Sequence, residues 1–371
     1  MEDNKIKIML SGYFGYDNAG DEAILSSVIQ AIRTVAEEPV TFVVLSGNPE
    51  QTENVHRVKA IHRTDLKTIW AELKDTAIFI SGGGSLLQDK TSPRTIPYYL
   101  AMIHLAQLAH VPVAVYAQGI GPVQRKIFHK WIATTLKRVQ YISVRDPKSK
   151  ALLVDWKLPE QKVAQVVDPV LLMSTDGIES ATRLLARENI TLNAPPIMFS
   201  IRQWAEGDQD LKVVAQTCDA LIEQGEEVLM VPMHYPEDAQ VACEILSYMN
   251  HRAHILQEPY TPQELSQIVS AGKLMVGMRL HALIFATAQD VPCLGLSYDP
   301  KIDAFMNMLG QDPIARAGHL AHPALLEAIE EAIDGLPDLE QKTQAKAKQL
   351  RDQALIPAKQ VVKMLNSHSV K

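Results

Sequence analysis

Short β-branched runs alternate along this chain with amphipathic stretches of about ten to fifteen residues, the pattern that βαβ units and a parallel sheet produce. In the first half it predicts strands over Ile6–Leu10, Val40–Leu45, Ala77–Ile80, Val111–Tyr116, Tyr141–Val144 and Val163–Val167. Helices are predicted between them over Asp21–Thr34, Asp65–Lys74, Ile96–Ala109, Arg125–Val139 and Pro147–Trp156. The periodicity weakens over Ser174–Pro196 and resumes with strands Ile197–Ile201, Val228–Val231, Ala253–Leu256, Leu274–Val276 and Cys293–Leu296. The helices of this second series fall over Leu211–Glu223, Glu237–Met249, Pro262–Ala271 and His281–Ala288. The expected architecture is α/β, with two Rossmann-like doubly wound domains facing across a cleft and ligand beyond the carboxyl ends of the strands. The domains are placed at 1–175 and 190–335, followed by a helical tail at 338–367 that packs the end of the chain.

A length of 371 residues suits two such cores, and 47% hydrophobic with 21% charged residues is a globular composition. The formal charge of -7 argues against nucleic acid as a partner. Cys218, Cys243 and Cys293 are scattered in apolar stretches without CxxC spacing, so buried free thiols in a reducing compartment are expected. The N-terminal apolar run is short for a signal peptide, and no segment reaches membrane-span length. A cytoplasmic location is therefore expected. The basic, amphipathic Arg125–Ile132 stretch, with Lys137 and Arg138, is either an ordinary solvated helix face or a peripheral contact with an anionic membrane.

Three glycine-bearing segments fall at the same edge of the first predicted sheet. The first strand runs into Ser11–Ala23, containing Gly12, Gly15, Asn18 and the acidic pair Asp21 and Glu22. Glycines at a strand-to-helix turn let a ligand approach the backbone, although the same residues also make a tight turn, and the acidic pair can serve as helix caps. Ser81–Asp89 carries Gly83 and Gly84 in a run of three glycines, against which a ligand or another backbone is expected to lie. Gln118-Gly119-Ile120-Gly121-Pro122 completes the set. None has GxGxxG spacing, and zinc spacings, HExxH, a Walker loop and GxSxG are absent from the sequence.

Cations stand at comparable edges. Arg145 follows the strand Tyr141–Val144, while Arg279, Leu280 and His281 follow Leu274–Val276 in the second domain. A planar guanidinium suits carboxylate or phosphate, and an imidazole exchanges protons near neutral pH. The alternative is that Arg145 pairs with Asp146 or another carboxylate and that His281 caps a helix. Tyr298-Asp299-Pro300-Lys301 either brings a hydroxyl, a carboxylate and an ammonium to the cleft or forms a turn with a solvated lysine.

The ordered segments GYFGYDNAGDEA, SGGGSLLQD, QGIGP, SVRD, GMRLHALIFA and SYDPK, spanning Gly12 to Lys301, resemble the polysaccharide pyruvyltransferase family, most closely its CsaB-type cell-surface anchoring branch. The resemblance implies a GT-B-like fold, phosphoenolpyruvate as donor, a glycan acceptor and no further cofactor. In that branch the acceptor is a lipid-linked ManNAc-GlcNAc disaccharide, carried on undecaprenyl diphosphate, whose product serves S-layer anchoring in the cell wall. By the resemblance Arg145, Arg279, Leu280 and His281 contact the donor, and Asp21 and Glu22 face the sugar. Gly12, Gly15, Asn18, Gly83, Gly84, Gln118, Tyr298 and Lys301 are the further expected substrate contacts. Ketal formation from an enol phosphate needs anion clamps, one acid and one base: His281 is the expected acid, and Asp21 or Glu22 the base. A sugar-nucleotide glycosyltransferase of the same fold and a non-catalytic glycan-binding protein are the rival readings.

Overall fold

The computed structural model describes residues 6–16, 18–90, 92–204 and 207–368. Met1–Lys5 and Asp17 of the first glycine-bearing segment lie outside them. The chain forms two compact units, one of Met1–Leu172 with Asp352–Lys371 and one of Met173–Arg351.

In chain order the first unit contains β1 (Ile6–Phe14), α1 (Ala19–Val35), β2 (Val40–Ser46), α2 (Pro49–His56), β3 (Lys59–His62), α3 (Leu66–Leu73), β4 (Ile78–Gly82), α4 (Thr95–Leu108), β5 (Val113–Gln118), α5 (Lys126–Leu136), β6 (Tyr141–Val144), α6 (Pro147–Asp155) and β7 (Val163–Gln165). The sheet order is β3-β2-β1-β4-β5-β6-β7, and every pairing is parallel. Alternate strand residues point to opposite faces, and both sets are apolar. Met9, Val43, Phe79, Val113 and Ile142 pack under α3 to α6 through Ile69, Ile103, Ile132 and Leu153. Ile8, Leu10, Val44 and Ile80, on the alternate positions, are equally buried, as a sheet covered on both faces requires.

The second unit contains α7 (Ala181–Ala186), β8 (Ile197–Ser200), α8 (Gln209–Glu223), β9 (Val228–Met230), α9 (Glu237–Tyr248), β10 (His254–Ile255), α10 (Pro262–Val269), β11 (Leu274–Gly277), α11 (Leu280–Ala288), β12 (Cys293–Ser297), α12 (Pro300–Met308), β13 (Ala315–Arg316), α13 (His322–Asp334) and most of α14 (Leu336–Ala354). Its order, β10-β9-β8-β11-β12-β13, is again all parallel. Phe199, Met230, Val276 and Leu296 pack under α8, α9 and α13 through Val214, Ile245 and Ile329. The last helix, α15 (Ile356–His368), belongs to the first unit and packs on α1.

Both sheets are thus doubly wound, and each reverses its direction of strand addition once, between β1 and β4 and between β8 and β11. In such sheets the crevice outside the carboxyl ends at the reversal is the ligand site.

Several helix starts follow directly from sequence. Asn18 caps α1 by accepting from the Gly20 and Asp21 N–H groups. Asp146 caps α6 ahead of Pro147, Thr261 and Glu264 form a capping box on α10, and Asp299 caps α12 ahead of Pro300.

The structure departs from the sequence expectations at specific places. β1 continues through Gly12 to Phe14, with a register irregularity after Ser11. The expected turn around Pro300 is the first turn of α12, because proline at the first helical position loses no hydrogen bond. A short helix, α7, lies inside the supposed break Ser174–Pro196. Cys218 and Cys293 are buried, but Cys243 is exposed on α9, so the expectation of three buried thiols is corrected there. Among the described residues, no helix is long and apolar enough to cross a membrane.

Candidate functional site

In the first unit the loop between β1 and α1 is pinned by Glu22. Its Oε1 accepts the Gly15 N–H at 2.7 Å, and its Oε2 lies 2.7 Å from Nε2 of the buried His56 on α2. Both oxygens of Glu22 are thereby committed to holding the turn. The space beside the glycines of this loop is also filled by the protein: the Phe14 ring covers Gly12, and Ser46 and Asn48 abut Gly15. Asn18 is the α1 cap rather than an open contact. Packing and capping occupy these residues, the tight-turn alternative that the sequence left open.

Asp21 sits one residue away in very different surroundings. Its Oδ1 lies over Gly84, where a Cβ would come within 2.6 Å of it, and Gly84 has a φ of +68° that favours glycine. Gly83 gives its space to Ile24 of α1 and Gly82 to Tyr116. Side chains of this unit lie against all three glycines, and so does the expected second backbone: the Gly83 N–H donates to the Tyr116 carbonyl at 3.2 Å and the Gly84 carbonyl accepts from the Gly119 N–H at 2.9 Å. Burial pushes the Asp21 carboxyl up to about 7; the Arg145 charge pulls it down, while Glu22 and Asp168 push it further up. No hydrogen bond engages the Asp21 carboxylate among the described residues. It is a half-buried carboxyl poised near neutrality, which is what a general base at physiological pH requires.

Arg145, just beyond β6, donates from Nη1 to Oδ2 of Asp168 at 2.5 Å and from Nη2 to Ser85 Oγ at 3.3 Å. The carboxylate expected to compete for it, Asp146, caps α6 instead. Asp168 is itself buried and also accepts the Val170 N–H at 3.1 Å. Gly119 makes the arrangement possible, since a Cβ there would stand 2.7 Å from Ser85 Oγ and 3.2 Å from Arg145 Nε. Gln118, at the end of β5, is wholly buried, and neither end of its amide has a partner. Buried polar atoms are normally satisfied, so this amide is available to a group that enters the crevice. The ends of β4, β5 and β6, together with Asp21, thus form one cluster of opposed charges.

A feature the motifs did not single out borders β3. Tyr13 and Tyr16 stack at 4.3 Å with 14° between their planes, and both stay exposed, at 42% and 40%. Arg63 donates to Tyr16 Oη at 3.3 Å and lies 4.0 Å from the Tyr98 ring centre. An exposed aromatic pair beside a cation offers an apolar face and donors together.

In the second unit Arg279 is the residue before α11, with Leu280 and His281 in its first turn and all three half-buried. Arg279 Nε donates to Asp238 Oδ2 at 2.9 Å, and Nη2 meets Oδ1 of the same carboxylate. Asp238, buried on α9, also accepts the Met233 and His234 N–H groups at 3.2 and 3.0 Å. The guanidinium is thereby fixed in orientation by a bidentate pair. Tyr298, beyond β12, accepts from Arg202 Nη1 at 3.1 Å. Asp299 spends its carboxylate on capping α12, accepting the Lys301 N–H at 2.9 Å, and Lys301 stands in the first turn of that helix. Arg202 was not singled out in the sequence, and no family motif segment covers it. Its position after the apolar run Ile197–Ile201 nevertheless has the same strand-then-arginine form as Arg145 and Arg279.

The first unit therefore gathers Asp21, Gly84, Gln118 and Arg145, and the second gathers Arg279, Leu280, His281 and Tyr298. Each group lies at the carboxyl ends of its own parallel strands. Among the described residues, no three His, Cys, Asp or Glu side chains stand together as a metal site needs.

Solved structures share the fold over nearly the whole chain. A UDP-GlcNAc 2-epimerase from Neisseria meningitidis bound to UDP-GlcNAc matches with a TM-score of 0.68 and 14% identity, covering 98% of this chain and 100% of that one. A putative UDP-N-acetylglucosamine 2-epimerase from Listeria monocytogenes matches at 0.68 and 13%, covering 99% and 97%. Anabaena Alr3699/HepE in complex with UDP-glucose matches at 0.63 and 9%, covering 98% and 100%. These likenesses establish the GT-B-like fold. In sequence, the amylovoran biosynthesis protein AmsJ of Erwinia amylovora is 22% identical over 298 residues, which cover 76% of this chain and 71% of that protein. The polysaccharide pyruvyl transferase profile matches residues 18–300, a span that holds Asp21, Gly84, Gln118, Arg145, Arg279, His281 and Tyr298. With that span matched, the chain belongs to the polysaccharide pyruvyl transferase family.

Proposed function

We propose that this transferase moves the enolpyruvyl group of phosphoenolpyruvate onto two hydroxyls of a sugar as a cyclic ketal, releasing phosphate. The family match over residues 18–300 carries the reading; the clustered chemistry at the two strand edges supports it. In the first step a proton adds to the donor methylene, making it a methyl group. A sugar hydroxyl attacks the resulting cationic carbon, phosphate departs, and a second hydroxyl closes the ring. The two hydroxyl protons balance the one taken up by the methylene and the one that leaves with phosphate.

Arg145 and Arg279 are assigned to the doubly anionic donor, with Leu280 lining it. Their bonds to Asp168 and Asp238 hold the guanidinium planes before the donor arrives, so little ordering remains to be done on binding. His281 is the acid, protonating the methylene or assisting phosphate departure. Asp21 is the base for the acceptor hydroxyl. It is preferred over Glu22, whose oxygens are taken by Gly15 and His56. Tyr13 and Tyr16 offer the acceptor sugar an apolar face.

The acceptor in this reading is the ManNAc of an undecaprenyl-diphosphate-linked disaccharide, as in the CsaB-type branch, and the product serves S-layer anchoring. α5 supports contact with a lipid-borne acceptor: Ile127 is 74% exposed and Trp131 is exposed one turn on, with Arg125, Lys126, Lys130, Lys137 and Arg138 exposed around them. Apolar side chains set among cations suit an anionic membrane surface.

The test is phosphate release. Full-length protein with phosphoenolpyruvate and the lipid-linked disaccharide should release inorganic phosphate only when both are present. Release of a nucleoside diphosphate from sugar nucleotides would favour the glycosyltransferase reading instead.

A further inference from the structure

Arg145 and Arg279 are each already bonded to a buried carboxylate within their own unit. Arg202 is different: among the described residues it forms no ion pair. Its Nη1 donates to Tyr298 Oη at 3.1 Å, its guanidinium carbon lies 5.0 Å from the Tyr298 ring centre and 5.9 Å from that of Trp204, and its Nε is buried with no hydrogen-bond partner. The cation thus lies beside two aromatic rings, and one of its donors has no partner. A buried donor left unmatched is unfavourable for folding.

The sheet register says where this charge stands. Ser200 of β8 pairs with Gly277 of β11, so Arg202 and Arg279 each lie two residues beyond the same rung, on neighbouring strand ends at the point where the sheet reverses. β8 and β12 flank β11, so the Arg202–Tyr298 hydrogen bond crosses the end of β11, where Arg279 and His281 lead into α11. The hydroxyls of Ser200 and Ser297, on the same two flanking strands, are also buried without partners. Unused donors on both sides of a cation call for a compact anion rich in acceptor oxygens.

We infer that Arg202 binds the phosphate of the donor, with Tyr298 as its positioning residue, while Arg279, bridled by Asp238, orients the rest of the anion. The identity of the anion as phosphoenolpyruvate rests on the pyruvyl-transfer reading; the phosphate site itself does not. Arg202, beyond β8, is therefore the phosphate ligand of the second unit, and Arg279, paired with Asp238, is not sufficient for it.

The experiment compares full-length wild type with Arg202→Gln, Arg202→Lys and Tyr298→Phe. Binding of inorganic phosphate, phosphoenolpyruvate and pyruvate is followed by calorimetry and by tryptophan fluorescence, for which Trp204 is the nearby reporter. Arg202→Gln should weaken phosphate and phosphoenolpyruvate by the same factor, about 10- to 100-fold, and leave pyruvate within about twofold. Arg202→Lys should retain part of the affinity, and Tyr298→Phe should weaken phosphate a few-fold with the same indifference to pyruvate. Phosphate affinity unchanged in Arg202→Gln, or all three probes weakened alike in the lysine variant at an unchanged melting temperature, overturns the inference. If wild type binds phosphate through Arg202 yet neither binds nor consumes phosphoenolpyruvate, the anion site stands and the pyruvyl-transfer reading is what fails.

Discussion

Asp238 grips Arg279 through both of its oxygens, at Nε and Nη2, and its Oδ2 also takes the Met233 and His234 N–H groups. One buried carboxylate thus ties the end of β11 to the start of α9. Breaking a buried pair leaves an uncompensated charge, so Asp238→Ala should cost roughly 3–5 kcal/mol in denaturant unfolding. Asp238→Asn, which keeps the shape, should fold and show a KM for phosphoenolpyruvate raised about tenfold or more. An unchanged KM in that variant would mean that the pair serves stability alone.

Gly119 makes a separate prediction. A methyl group there would stand 2.7 Å from Ser85 Oγ and 3.2 Å from Arg145 Nε, and Gly119 is not among the residues of positive φ. Gly119→Ala should therefore displace the arginine from its buried partner Asp168 and lower stability by about 1–3 kcal/mol. Turnover should fall about 10- to 100-fold, measured as acceptor-dependent phosphate release beside a melting curve.

Asp21 predicts opposite signs for activity and stability. Its folded-state carboxyl is pushed up to about 7, against about 3.9 when unfolded. Between those values the folded protein binds the extra proton, so stability falls as pH rises from about 4 to 7 and then levels. Asp21→Asn removes that penalty and should stabilise the protein at pH 8 by an amount on the order of a few kcal/mol, while abolishing most of its turnover. The wild-type rate should lose its base, and decline, as pH falls below about 7. A variant both active and no more stable would contradict both halves.

Glu22 separates from Asp21 by the same pH profile. With its oxygens on Gly15 and His56, Glu22→Gln should cost about 1–3 kcal/mol and keep the acid limb of the rate, moved to lower pH because a charge that raises Asp21 is gone. Loss of that limb would make Glu22 the base after all.

The parallel sheets were legible in the sequence because their strands are buried on both faces and read as continuous apolar runs. α2 was not, since only Thr52 and His56 of its residues are buried and no apolar stripe marks it. β3 and β13 are too short for any periodicity to show. The arginines at the strand ends could be found because each follows an apolar run. Their partners could not: Asp168 and Asp238 lie 23 and 41 residues away from them with nothing local to link them. The glycine segments do lie at one sheet edge, where Gly83 and Gly84 admit Ile24 and Asp21 of α1. Arg202 follows an apolar run of the same form but lies outside the ordered segments that carried the resemblance.

Ketal-forming transfer from phosphoenolpyruvate is read out by mass spectrometry of the acceptor. Lipid-linked ManNAc-GlcNAc incubated with the full-length protein and phosphoenolpyruvate should gain one pyruvyl ketal for each phosphate released, and His281→Ala should abolish both. An acceptor of unchanged mass, with phosphoenolpyruvate intact and a nucleoside diphosphate released when sugar nucleotides are supplied, would exclude pyruvyl transfer.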